Sequence, residues 1–135
     1  MNLASSLECP FCIEVVNPKS ALHLLSRQWP YSDRLIYRNE LVFAVPGFSP
    51  QVYPYILVLP QRHTSSMAKT TFYERQSLFK CLQFLIDLLR RNIGADISLY
   101  VFEHGGCSNG INKNACLEHA HYHIMVNQPR SFTKL

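Results

Sequence analysis

"LEHAHYHIMV", residues 117–126, puts three of the chain's six histidines at alternate positions, with apolar or small residues between and after them. Residues two apart in a β-strand share a face and stand about 6.6 Å from one another. A strand here therefore carries His119, His121 and His123 on one side and turns Ala120, Tyr122 and Ile124 into a core. Histidine is not a favoured core residue, and polar groups are rarely buried without partners. Three imidazoles on one face argue for chemistry. Two kinds are open. Two or three of them could ligate a metal ion, as in a hydrolase that uses metal-bound water. Alternatively one neutral imidazole could attack phosphorus near pH 7, since its unperturbed pKa of about 6.5 leaves much of it uncharged. Water would then cleave the resulting phosphoramidate.

Upstream, "RLIYRNELVFAV" reads as two short strands turning at Arg38-Asn39-Glu40, and "GFSPQVYP" as a Gly/Pro loop. "YILVLP" is a continuous apolar run, the pattern of a buried strand, ended by Pro60. A helix follows: Thr71 with Glu74 three residues on has the form of a capping box. Leu78, Leu82, Leu85 and Leu89 make an apolar stripe widened by Phe79 and Ile86, and Gly94 terminates it. "ISLYVFEHG" is another strand, leading through "GGCSNGINKNA" to the histidine segment. Strands, one long helix, then strands again imply α+β with an antiparallel sheet and a helix on one face.

The 135 residues suit one domain, and 47% apolar with 16% charged residues describes an ordinary globule. The net charge of +4 fits a phosphate-bearing ligand, but it is scattered; no basic run interleaved with aromatics predicts stable nucleic-acid binding. "MNLASSLECPFC" lacks the basic and apolar regions of a secretory signal, and "LFKCLQFLIDLLRR" is too short and interrupted to span a bilayer, so no membrane partner is expected. Cysteines 9, 12, 81, 107 and 116 do not look like a disulfide framework. A reducing cytoplasm is expected, where Cys-x-x-Cys is more often a metal or redox site.

"HAHYHIMV" resembles the signature of the histidine triad (HIT) family, His-φ-His-φ-His-φ-φ with φ apolar, and matches it at every position. "FSPQVYPYILVLPQRH" is similar to that family's upstream strand ending in Pro-x-x-His, "VFEHGG" and "ACLEHAH" to one of its branches, and "CPFC" to the N-terminal Cys-x-x-Cys of many members. The resemblance implies a HIT-like α+β fold: about five antiparallel strands with one long helix packed on them. Residues 1–135 would form a single such domain, with a Cys-x-x-Cys knuckle at about 7–16, paired into a homodimer. It also implies a nucleotidyl hydrolase or transferase acting on a phosphate-linked nucleotide, such as a phosphoramidate or a dinucleoside polyphosphate. His121 would be the nucleophile, its Nδ1–H donating to the carbonyl of His119, and His123 would contact the phosphoryl oxygens. A structural zinc would be held by Cys9, Cys12, His63 and His119, with no organic cofactor. The bland reading of the cysteines is two buried free thiols or a redox pair. The rival functions are a non-catalytic nucleotide-binding dimeric scaffold and a metal-dependent hydrolase with the triad as ligands.

The chain departs from the pattern in places. Val45-Pro46-Gly47-Phe48 has no carboxylate where many members hold the ribose hydroxyls, and Asn114-Ala115-Cys116 replaces Gly-Gln-Ser or Gly-Gln-Thr before the triad. Ser108, Asn109, Asn112 and Asn114 are candidates to take over the phosphate or leaving-group contact. Pro54-Tyr55 stands where Gly-His is frequent, suggesting an aromatic wall; Val45, Phe48, Tyr53 and Tyr55 could line a slot for a flat group or simply pack the core. Glu103 and His104 either reach the site as an acid or phosphate contact, or order a loop. The expected substrate contacts are thus Ser108, Asn112, Asn114, His104, Phe48 and Tyr55. His23 and Cys81 read as surface or packing residues.

Overall fold

The computed structural model of the protein describes residues 9–17, 35–47, 54–104 and 119–127. Its first hairpin joins β1 (Tyr37–Arg38) to β2 (Val42–Pro46), with Tyr37 opposite Ala44 and Arg38 opposite Phe43. One side chain makes the turn. Asn39 Oδ1 accepts from the backbone N–H groups of Leu41 (2.8 Å) and Val42 (2.9 Å), the local bonding that suits asparagine to turns. The apolar run becomes β3 (Tyr55–Pro60), ending at Pro60 as expected. The chain then forms a 3₁₀ turn at Met67–Lys69 and the long helix α2 (Phe72–Ile93). A short helix, α1 (Pro10–Val16), precedes all of these in sequence.

Both halves of the capping box at the start of α2 are made. Thr71 Oγ1 accepts from Glu74 N–H (3.2 Å), and Glu74 Oε1 accepts from Thr71 N–H (2.8 Å). The buried stripe is Leu78, Cys81, Leu82 and Leu85, with Leu89 half-buried. Phe79, expected to widen it, is 58% exposed. It stands one residue, or about 100°, from Leu78, whereas Cys81 lies three residues on and shares Leu78's side. The helix ends at Ile93, and Gly94 N–H bonds to Arg90 O (3.0 Å).

Strands β4 (Ser98–His104) and β5 (His121–Asn127) complete one five-stranded sheet, wholly antiparallel, in the order β1-β2-β3-β5-β4. β5 is internal and bonds to both β3 and β4. The register sorts the residues by face. Val58 lies opposite Tyr122 and Ile56 opposite Ile124; with Val42, Ala44 and Ala120 they pack on the apolar stripe of α2. The other face carries Phe43, Val45, Leu57 and Leu59, covered by Phe11 and Val15 of α1. Two covered faces explain why β3 reads as an unbroken apolar run instead of an alternating one. Among the described residues, no helix is long and apolar enough to cross a membrane.

Candidate active site

Cys9 caps the N-terminus of α1, Pro10 occupies the next position with its φ already fixed for a helix, and Cys12 follows in the first turn. Three residues apart at a helix start, the two thiols lie on one side. They meet two imidazoles there. Sγ of Cys9 is 3.4 Å from His119 Nδ1, and Sγ of Cys12 is 3.5 Å from His119 Nδ1 and 3.3 Å from His63 Nδ1. One ligand atom from each of Cys9, Cys12, His63 and His119 fits within a 4.8 Å span.

This set fits a tetrahedral zinc. With Zn–S of about 2.3 Å and Zn–N of about 2.0–2.1 Å, neighbouring sulfur and nitrogen ligands stand about 3.5 Å apart, as three of the four sulfur–nitrogen pairs do here. The orientation of His119 agrees. Its Nε2 lies 2.7 Å from the carbonyl oxygen of Pro60, which can only accept, so Nε2 carries the proton and Nδ1 turns its lone pair to the thiols. A hydrogen bond from Cys12 first, against burial and helped by His119, pulls the Cys9 thiol down to about 3, while the same bond and burial push Cys12 up. His119 itself is fully buried, edge-on to Phe11 and Phe43.

The segment carrying His63 is fastened on three sides. Arg62 reaches Glu74 through Nε (3.2 Å) and Nη2 (2.8 Å), and Nη2 also donates to Lys69 O (3.0 Å). Glu103 Oε1 accepts from Met67 N–H (3.0 Å), and Thr64 O accepts from Ala120 N–H (2.7 Å). The last bond shows why β5 begins at His121 and not, as the alternation suggested, at His119. Ala120 bonds to the segment after β3 instead of to β3 itself.

Two residues on, the geometry changes. His121 is 5% exposed and turns Nδ1 to the carbonyl oxygen of His119 at 2.8 Å. A carbonyl only accepts, so Nδ1 carries the proton and the lone pair sits on Nε2. His123 is held differently again. Its ring stacks on Phe102 of β4 (centroids 4.4 Å, planes 11° apart) and lies nearly parallel to Tyr55 of β3 (5.5 Å, 12°). The Tyr55 hydroxyl hydrogen-bonds His123 Nδ1. Burial pushes the Tyr55 phenol above its ordinary range, which keeps it protonated.

The structure thus gathers Cys9, Cys12, His63 and His119 in one cluster and sets His121, His123 and Tyr55 beside one another. Only His119 of the triad belongs to the cluster. His104 is the ladder partner of His121. Glu103 has the loop-ordering bond: it pairs with Tyr122 on the α2 face, and its Oε1 accepts from Met67 N–H. Val45 is wholly buried in the core beneath α1 and lines no slot. Ser108, Asn109, Asn112, Asn114, Phe48, Tyr53 and His23 lie outside the described residues. Phe102 is the contact that sequence reading missed. Its signal was the strand period, which puts it two residues before His104 and opposite His123.

Comparison with known proteins agrees with this geometry. A family model described as HIT domain matches residues 30–130. A HIT family protein from Bacillus subtilis superposes with a TM-score of 0.66 at 20% identity, over 90% of this chain and 74% of that one. The histidine triad nucleotide-binding protein of Candida albicans gives 0.65 at 12% identity, over 91% and 77%. The diadenosine triphosphate hydrolase of Plasmodium falciparum gives 0.57 at 13% identity, over 72% and 63%. Curated protein sequences gave no match.

Proposed function

The chain belongs to the HIT domain family, and from that premise we propose that it hydrolyses or transfers a phosphate-linked nucleotide through a covalent intermediate on His121. One observation carries this reading: the His119 carbonyl 2.8 Å from His121 Nδ1, which leaves the nucleophilic lone pair on Nε2. That lone pair forms a P–N bond as the bond from phosphorus to the leaving group breaks, and the leaving group departs with the electron pair and takes up a proton. Water then attacks phosphorus, Nε2 is released, and the water's proton passes to solvent. His123 stabilises the spread negative charge on the phosphoryl oxygens, the main protein contribution to such transfers.

Cys9, Cys12, His63 and His119 would hold a structural zinc, which pins α1 to the sheet and fixes the backbone whose carbonyl orients His121. Thiols facing two imidazoles, instead of a disulfide, suit a reducing cytoplasm. A homodimer is the natural partner arrangement. Among the described residues β4 is an edge strand with Tyr100, Val101 and Phe102 exposed, and an edge flanked by apolar side chains favours a second copy. The nucleotide class is also what two matched relatives are named for, a nucleotide-binding protein and a diadenosine triphosphate hydrolase.

The test is turnover of a nucleoside phosphoramidate, a dinucleoside polyphosphate and a nucleotide sugar by the purified protein. Release of nucleoside monophosphate from at least one, lost in His121→Ala, is expected. Binding without consumption of any of them would leave the scaffold reading in its place.

A further inference from the structure

The same hydrogen-bond logic that fixes His119 and His121 extends to a residue whose sequence position promised only an aromatic wall. We propose that Tyr55 is a positioning residue: its hydroxyl donates to His123 Nδ1 and so keeps the proton of His123 on Nε2. His123 then presents an N–H to the phosphoryl group, while His121 presents a lone pair. The catalytic consequence rests on the covalent reading above; the placement of the proton does not.

Three features of the structure support this. The first is the bond itself, between Tyr55 Oη and His123 Nδ1. A phenol is a good donor and a neutral imidazole nitrogen a good acceptor, and burial works against phenolate. The second is the stacking. Phe102 and Tyr55 both lie nearly parallel to the imidazole, and packing against Phe102 at 4.4 Å opposes the rotation that would exchange Nδ1 for another atom. The third is Gly47. Its N–H bonds to Tyr55 O at 2.8 Å, and a Cβ built on it would run into the Tyr55 ring at Cδ1, Cε1 and Cγ. The ring lies flat over a backbone that only glycine leaves open. The two departures from the family pattern, Gly47 in "VPGF" and Tyr55 in "VYPY", are therefore one device.

The arrangement explains how two histidines on one face, with ring centroids only 4.6 Å apart, take opposite roles. Each is told by its Nδ1 partner which nitrogen carries the proton. A carbonyl instructs His121 and a hydroxyl instructs His123.

The experiment is long-range ¹H–¹⁵N correlation of the histidine rings in the substrate-free protein near neutral pH, for wild type, Tyr55→Phe and Gly47→Ala. Wild-type His123 should show the Nε2–H form and His121 the Nδ1–H form. In both variants the His123 nitrogens should move toward the averaged shifts of a tautomer mixture. The His121 signals should stay in place, which also reports that the site is folded. With any donor that turns over, kcat should fall about tenfold or more in Tyr55→Phe, with KM changing less. A wild-type His123 protonated on Nδ1, or a Tyr55→Phe spectrum with His123 unchanged, would overturn the proposal. Absence of turnover in wild type would sink the covalent reading instead, and the ring nitrogens would still decide the role of Tyr55.

Discussion

The two faces of the segment 119–127 differ in what makes them work. On one, Ile124 and Ala120 are sealed with Leu78, Leu82 and Leu85 of α2, and volume and area decide everything. On the other, the Pro60 carbonyl, the His119 carbonyl and the Tyr55 hydroxyl hydrogen-bond His119, His121 and His123 in turn. Burial is similar for much of both faces. The first stores stability, and the second spends its hydrogen bonds on deciding where protons reside. A strand's period of two separates these tasks within seven residues.

The comparison breaks most sharply at His121. Its replacement by alanine should lower turnover by about a thousandfold or more, while the thermal midpoint moves little; steady-state rates beside calorimetry check both. Next in size is the metal cluster, where the chemical face also contributes stability. The protein should bind about one zinc per chain, and chelation under reducing conditions should remove about 4 kcal/mol for a site filled at a thousand times its Kd. Metal analysis with melting curves, repeated for Cys12→Ser, reads this; a metal-free protein whose melting ignores chelator would contradict it. On the hydrocarbon face, Leu85→Ala should cost about 3 kcal/mol of stability by leaving a cavity under the sheet. Denaturant unfolding reads the loss, and kcat of the folded fraction should stay near the wild-type value.

The smallest effect joins the two faces. Glu74 is held below the usual carboxylate range: burial opposes this, and Arg62 and the Thr71 N–H outweigh it. A carboxylate depressed in the folded state favours folding above its unfolded pKa and loses that contribution as pH falls through the folded value. Stability should therefore decline toward acid from about pH 4.5 downward, and Glu74→Gln should remove that part of the decline. For a bridge whose arginine is 45% exposed, the difference is about 1 kcal/mol. Melting midpoints of both proteins from pH 3 to 6 compare them.

Local patterns in the sequence carried the fold a long way. The capping box at Thr71 and Glu74, the Leu78-Leu82-Leu85 stripe and the apolar β3 each follow from residues within one or two turns or one strand. Long-range pairing was not local information. Nothing in the spacing of Cys9 and Cys12 says that His119, over a hundred residues on, lies 3.4 Å away; the family resemblance named that set, and the backbone bond from Ala120 to Thr64 shows how the chain brings it together. Glu103 was open between site and loop because its face depends on ladder register, which opposes it to Tyr122. The same register puts Phe102 against His123, a contact that a single strand's alternation hints at but does not fix. Phe79 was misassigned because a leucine stripe read by residue type ignores that a neighbouring position points a quarter turn away.

The covalent step on His121 is the centre of this account, and trapping it is the most direct test. Wild type and His121→Ala would be mixed with the best donor, quenched in base where a phosphohistidine survives, and read by intact mass and peptide mapping. The account predicts a nucleotidyl adduct on wild type, mapped to His121 and absent from the variant. Turnover by wild type with no adduct at any time point, or an adduct that persists in His121→Ala, would contradict it.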